Sequence, residues 1–215
     1  MKPSKSDSAL LYTPLPDVFK SSLTGKPFEL CKICDSYLLK DDIDYLIEKV
    51  FVYSHDSSKT EVFGEYAICI SCYEKRYQTM SADSLKHIEN YFKANVDFNK
   101  RRTRLLNFKK KDLNNWISTC LITNLPVEEG AEYQLVAHCK GESLVLDSAP
   151  FIISASAIEE LWELLSAETK DILNNEAECL DETPPELKNL LREVHIQFSN
   201  DYLKAFRSYF KTALH

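Results

Sequence analysis

Four of the seven cysteines form two pairs with the same internal spacing. Two residues separate Cys31 from Cys34, and two residues separate Cys69 from Cys72. A short loop with this spacing can direct two thiolates to one zinc ion, which takes four ligands in a tetrahedron with zinc–sulfur distances of about 2.3 Å. We therefore predict that all four thiolates bind one Zn²⁺. Because four protein ligands leave no open coordination position, the ion is expected to be structural rather than catalytic.

Three other chemistries can use cysteines with this spacing. A single pair can form a redox dithiol, an iron–sulfur cluster can take the same four ligands, and cysteines can simply pack in a core. Two pairs in one chain favour shared coordination, and the crowded spacing of ferredoxins is missing. His138 adjoins Cys139, but the three other cysteines offer no close pair, so we interpret them as core residues: Cys120, Cys139 and Cys179.

The segments around the pairs predict which elements position them. Residues 45–53, "YLIEKVFVY", are rich in β-branched and aromatic side chains and predict a strand, and residues 61–68 predict the returning strand of a hairpin. Ser81 is expected to cap a second, longer helix that continues through a basic segment towards Phe108. A first helix is predicted between the hairpin and the helix that Ser81 caps. Helical spacing begins after Cys72, with Tyr73, Tyr77 and Met80 on one face.

This order of a cysteine knuckle, a hairpin and a helix that carries the second pair resembles the treble-clef zinc-finger group. The resemblance covers roughly residues 31–92 and depends on the four cysteines and the change of period. It implies a structural zinc site and the fold. Treble clefs occur in ribosomal, DNA-binding, ubiquitin-transfer and adaptor proteins alike, so the resemblance implies no single function. The hairpin is longer than in minimal members, and no specific family is identified.

The second half of the sequence resembles the first. Residues 66–90 align without a gap on residues 151–175, with six identities where ordinary frequencies give about one or two. Upstream, "CKICDSYL" can be laid on "CLITNLPV", but "LTGKPF" also resembles "ITNLPV", so two registers compete. Similar composition of two hairpin–helix segments is the alternative explanation. The identities are Ile68/Ile153, Ser71/Ser156, Glu74/Glu159, Ser81/Ser166, Ala82/Ala167 and Asn90/Asn175.

We therefore predict an α+β fold made of two tandem treble-clef-like units. Residues 1–28 are an irregular arm, residues 29–112 are the zinc-binding unit with its long helix, and residues 113–215 are a degenerate, metal-free repeat. A long C-terminal helix, with a capping box at Thr183 and Glu186, is expected to close the core. In the repeat, Thr123, Ser154 and Ala157 replace three cysteines, and apolar side chains are expected to line the inner helix face: Ile158, Leu161, Trp162 and Leu165.

Charge is distributed unevenly along a chain whose net charge is −7. Residues 157–186 carry ten acids against one lysine, whereas residues 100–111 carry seven cations and no acid. These cations can contact nucleic-acid phosphates, or they can form a solvated helix end that faces the acidic segment. We favour the second interpretation. The cations, called the basic stripe below, are Lys100, Arg101, Arg102, Arg104, Lys109, Lys110 and Lys111.

Function is less well determined than the metal. Four glycines exclude a glycine-rich phosphate loop, and no catalytic spacing of histidine, serine and carboxylate stands out, so we expect a protein that is not an enzyme and has no small-molecule substrate. An odd number of cysteines and the lack of a secretory signal or long apolar segment predict a cytoplasmic protein with no membrane span. We expect a module that binds another protein; the alternative is a nucleic-acid binder that uses the basic stripe.

Overall fold

The computed structural model describes residues 11–54, 58–107, 112–128 and 130–178, with side chains to residue 173. They form a mixed α+β structure around one antiparallel sheet. Its six strands are β1 (Leu11–Pro14), β2 (Asp44–Ser54), β3 (Lys59–Cys69), β4 (Tyr133–Lys140), β5 (Ser143–Leu146) and β6 (Phe151–Ser154). The helices in these residues are α1 (Ile70–Tyr77), α2 (Ala82–Asn95), α3 (Phe98–Asn107), α4 (Asn114–Ile117), α5 (Ala155–Glu163) and α6 (Ala167–Glu178).

Strands β2 and β4 form the centre of the sheet. β2 pairs with β3 on one side and with β4 on the other, and β4 also pairs with β5 and β6 along its far edge. Residues 45–50 of β2 and 134–139 of β4 are all buried, so neither strand has a solvated face. The β-branched and aromatic run that predicted the hairpin therefore forms the core of the sheet, and the predictions of β2 and β3 are confirmed.

The predicted long helix after Ser81 is two helices. Ser81 caps α2 as expected, since its hydroxyl accepts a hydrogen bond from the Ser84 N–H at 3.2 Å. The chain then leaves the helix at Val96, which has an extended conformation with φ −127° and ψ 117°. Asp97 starts α3, because its side chain accepts a hydrogen bond from the Lys100 N–H at 2.9 Å. The unit predicted over residues 29–112 therefore has a break where a continuous helix was expected.

Part of the predicted irregular arm is ordered structure. β1 pairs with β5 at the edge of the sheet, where Pro14 is tolerated because an edge strand leaves one side unpaired. A short 3₁₀ helix, Asp17–Phe19, buries Phe19 completely. Lys49 also reaches the arm, donating to the Lys20 carbonyl while it pairs with Glu65 at 2.9 Å. Residues 11–20 are thus connected to the sheet through a strand pairing and the Lys49 contact.

Some expectations concern residues that the structure does not describe. These are the C-terminal helix with its capping box, Cys179 and the three lysines of the basic stripe at positions 109–111. Within the described ranges, none of the helices has both the length and the apolar composition that a membrane crossing requires.

Candidate metal centre

A tight loop carries the first cysteine pair. A β-bridge joins Leu30 to Tyr37 at its base, and inside it the Cys31 N–H donates to the Ser36 carbonyl at 2.9 Å. The Asp35 N–H donates back to the Cys31 carbonyl at 2.9 Å, and Asp35 takes a left-handed conformation with φ 54°. Aspartate tolerates this conformation better than most residues. We call residues 30–37 the first knuckle.

The second pair spans the junction between β3 and α1. Cys69 is the last residue of the strand and occupies the position before the helix, with φ −65° and ψ 149°, and Cys72 is the third helical residue. The first knuckle is held against this junction by the backbone, because the Lys32 N–H donates to the Ala67 carbonyl at 2.9 Å. The Cys69 N–H in turn points at the Cys31 Sγ at 3.4 Å.

The four sulfur atoms come together as the sequence predicted. The Sγ atoms of Cys31, Cys34, Cys69 and Cys72 all lie within 4.8 Å of one another, and those of Cys34 and Cys69 are 3.8 Å apart. A tetrahedron with zinc–sulfur distances of about 2.3 Å has sulfur–sulfur edges of about 3.8 Å. None of the four is in a disulfide, which requires a sulfur–sulfur distance of about 2.05 Å. The donor set and spacing therefore fit a divalent zinc ion.

Hydrogen bonding and burial shift the pKa values of three of these thiols. Cys34 is exposed, and hydrogen bonds from the Ser36 side chain and backbone lower its pKa to about 6. Burial raises the pKa of Cys69 and of Cys72. A buried thiolate is costly unless a positive charge lies beside it, and a divalent ion at the centre of the cluster provides that charge. The cluster can thus hold a metal ion.

A second knuckle, residues 119–126, repeats these hydrogen bonds in the other half of the chain. The Cys120 N–H donates to the Leu125 carbonyl at 2.9 Å, and the Asn124 N–H donates to the Cys120 carbonyl at 2.9 Å with φ 57° at Asn124. The Leu121 N–H donates to the Ile152 carbonyl of β6 at 2.8 Å. The loop is thus fastened to the strand before α5 as the first knuckle is fastened to the strand before α1.

In the second half of the chain, the positions that correspond to the four cysteines carry one cysteine and three other residues. Cys120 is buried, and its Sγ accepts hydrogen bonds from the Ser154 N–H and the Ser154 hydroxyl, each at 3.4 Å. Burial raises the pKa of Cys120, but hydrogen bonds from Ser154 and Thr123 outweigh that effect and lower it. Ala157, the third residue of α5, is fully buried. We call Cys120, Thr123, Ser154 and Ala157 the Cys120 cluster.

The packing expected beside this cluster is largely present. Ile158, Leu161 and Leu165 are buried, while Trp162 is half-buried with the Lys170 ammonium 5.5 Å from its ring. Trp162 thus lies at the edge of the core instead of lining it.

His138 and Cys139 do not join Cys120 in another metal site. Adjacent residues of a strand project to opposite faces of a sheet. The buried His138 lies beside two carboxylates, 2.9 Å from Asp44 and 3.7 Å from Asp147. Burial raises the pKa of the Cys139 thiol. The interpretation of Cys139 as a core residue is consistent with these positions.

The described members of the basic stripe lie in different environments. Lys100 and Arg104 are exposed, and Arg102 is half-buried. Arg101 donates three hydrogen bonds to backbone carbonyls, those of Ser148 at 2.9 Å, Trp116 at 2.7 Å and Pro150 at 2.9 Å. Its guanidinium also lies 5.2 Å from the centre of the Trp116 ring. Arg101 therefore binds the chain itself, and the sequence carried no signal that distinguished it from its neighbours.

A further feature that the sequence analysis missed is an apolar surface on the first knuckle. Leu30, Ile33 and Tyr37 are 54%, 50% and 46% exposed. Large apolar side chains within a cysteine loop are an available signal in the sequence, but their exposure depends on how the loop packs.

No family model, curated protein or solved structure matches this chain.

Proposed function

We propose that this protein is a structural-zinc protein in which Cys31, Cys34, Cys69 and Cys72 hold one Zn²⁺. The observation that carries the proposal is the convergence of the four sulfur atoms within 4.8 Å. The ion joins the first knuckle to the junction of β3 and α1, beside the hydrogen bond from the Lys32 N–H to the Ala67 carbonyl. Structural zinc supplies about 10–16 kcal/mol of apparent binding free energy, against a net stability of about 5–15 kcal/mol for a typical domain.

The architecture that we propose is two tandem treble-clef-like units, of which only the first holds metal. The matching hydrogen bonds of the two knuckles support it. Two reciprocal contacts between the helix starts support it as well: the Ser81 N–H donates to Thr169 Oγ1 at 3.0 Å, and the Ser166 N–H donates to Ser84 Oγ at 2.8 Å. Such a reciprocal pair is typical of two similar units that face each other across a twofold axis. Each unit gains a core by packing on the other.

The role that we propose is non-enzymatic binding of another protein in the cytoplasm, through the first knuckle. The knuckle presents three large apolar side chains to solvent within one loop of residues 30–37, and exposed apolar surface of this kind supports a protein interaction site. The zinc ion fixes this loop, so a partner meets an ordered surface and little binding free energy is lost in ordering it. Six free cysteines in the described residues agree with a reducing compartment.

A capture experiment with matched variants tests this role. Wild-type protein is used as bait in native lysate, beside the double variant Leu30→Asp and Ile33→Asp and the control variant Leu125→Asp. Leu125 is 65% exposed on the second knuckle, so the control adds a charge to an equivalent loop. We expect the double variant to lose a protein that the wild type and the control both retain, with the zinc content of all three unchanged.

Two outcomes contradict the proposed role. Equal recovery of partners by the double variant and the wild type would exclude the first knuckle as the binding surface. Capture of nucleic acid alone, with retention that falls steeply between low and moderate salt, would instead support the basic stripe as a phosphate-binding surface.

A further inference from the structure

The Cys120 cluster occupies a backbone frame that matches the four-cysteine site at three of the four ligand positions. Cys120 sits in its knuckle as Cys31 does, and in both places an N–H from the strand end points at the sulfur at 3.4 Å. Ser154 precedes α5 with φ −70° and ψ 154°, close to the −65° and 149° of Cys69. Ala157 is the third residue of its helix, as Cys72 is.

We propose that the Cys120 cluster is a latent zinc site, in which the frame for a tetrahedral ion persists while hydrogen bonds replace the ion. This inference rests on the proposed function in one respect: the choice of zinc as the metal is taken from the four-cysteine site. It goes beyond a metal-free repeat, because it states that the second frame becomes a metal site when thiols replace Thr123, Ser154 and Ala157.

The chemistry of the cluster explains how the frame can persist without metal. The Ser154 N–H and the Ser154 hydroxyl donate to the Cys120 sulfur, and hydrogen bonding by Thr123 also lowers the pKa of this thiol. The two Ser154 donors join the second knuckle to the start of α5, which is the connection that we propose for the ion in the first half. At the fourth corner, Ala157 offers no polar group, and its full burial leaves packing in place of a ligand. Hydrogen bonds worth about 0.5–1.5 kcal/mol each connect the same segments with less free energy than a metal ion.

The side-chain sizes allow the substitutions that restore the ligands. Serine and cysteine have the same shape, and a cysteine at position 123 replaces a threonine of similar volume, so both changes keep the frame. Ala157→Cys adds a sulfur at a fully buried position and carries the larger risk of overpacking.

The test counts metal ions per chain by elemental analysis after reconstitution with Zn²⁺ and gel filtration. We expect one ion in the wild type and two in the variant Thr123→Cys, Ser154→Cys, Ala157→Cys. Adding Cys31→Ser to this variant is expected to bring the count back to one. With Co²⁺ in place of Zn²⁺, the added ion is expected to double the visible absorption of the tetrahedral thiolate complex. A control with three new cysteines at exposed, scattered positions is expected to bind one ion: Lys59→Cys, Ala94→Cys and Thr103→Cys.

The outcomes separate this inference from the proposed function. A wild type without zinc contradicts the proposed function, and the difference between the variant and the wild type still reports on the latent site. If the triple variant does not fold, the double variant Thr123→Cys, Ser154→Cys decides, because with Cys120 it offers three thiolates and is expected to bind one ion more than the wild type. No additional ion in either variant, or an equal gain in the scattered control, overturns the inference.

Discussion

Replacing Cys31 by serine is expected to abolish zinc binding, whereas replacing Cys120 by serine leaves the zinc content at the wild-type value. The two cysteines hold equivalent places in the two knuckles and are both buried, but only Cys31 lies among the four converging sulfurs. Each kcal/mol of the metal's contribution that is lost lowers the melting temperature by about 2–4 °C in a chain of this size, so the Cys31 variant is expected to melt at a strongly lower temperature. Elemental analysis and thermal unfolding of the two variants check both parts.

The pair of variants separates a metal ligand from a buried cysteine. Cys120→Ser weakens hydrogen bonds to Ser154 and is expected to cost about 1 kcal/mol, which is a shift of a few degrees. If Cys31→Ser kept its zinc, or melted at the same temperature as Cys120→Ser, the four-cysteine site would not be the metal centre. Loss of zinc in Cys120→Ser would show that the ligands are misassigned.

Replacing Arg101 by alanine is expected to destabilise the protein by about 3 kcal/mol or more, the second largest effect. The guanidinium donates to three carbonyls and lies against the buried Trp116, so its removal leaves three acceptors without this donor and opens a gap in the packing. Hydrogen bonds to charged groups contribute about 1.5–3 kcal/mol each. Denaturant unfolding with circular dichroism measures the change.

Arg104→Ala is the matched control, because Arg104 is exposed on the same helix and its replacement removes the same charge. A change within about 0.5 kcal/mol is expected for it. Equal effects of the two substitutions would mean that the charge of the stripe, and not the contacts of Arg101, determines its contribution. The comparison also bears on nucleic-acid binding by the basic stripe, because the guanidinium of Arg101 already donates to three carbonyls of its own chain.

The sequence predicted the elements that depend on local pattern. The β-branched and aromatic run of residues 45–53 predicted β2, and the two Cys-x2-Cys pairs predicted the cluster of four sulfurs, because close spacing limits where paired thiols can point. Ser81 predicted the start of α2, since its hydroxyl has a local partner three residues on. The signals for β2 and α2 lie within a few residues of the element that each predicts, whereas the sulfur cluster also requires two pairs 35 positions apart to meet.

The features that the sequence did not predict depend on distant contacts. The break at Val96 is an exception, because the side chain of Asp97 marks the start of α3 through a local hydrogen bond to the Lys100 N–H. The strand in the arm exists because β5 offers an edge, which lies more than a hundred residues away in the chain. The role of Arg101 likewise requires the carbonyls of residues 148 and 150, which no helical pattern reveals.

The competing registers of the two halves show why the upstream alignment was open. The knuckles correspond as "CKICDSYL" to "CLITNLPV", with Cys31 matching Cys120 and Asp35 matching Asn124 in hydrogen bonding and left-handed φ. Downstream, the strand ends and helix starts correspond with a different offset, as Cys69 does to Ser154. The connecting segments differ in length, since 38 positions separate Cys31 from Cys69 and 34 separate Cys120 from Ser154. A single offset therefore cannot align the knuckles and the strand–helix junctions at the same time.

X-ray absorption at the zinc edge of the purified protein tests the metal centre most directly. We expect one zinc ion per chain, surrounded by four sulfur atoms at about 2.3 Å with no nitrogen or oxygen neighbour. Protein that carries no zinc, or zinc bound with fewer than four sulfurs, would contradict the assignment of Cys31, Cys34, Cys69 and Cys72 as its ligands.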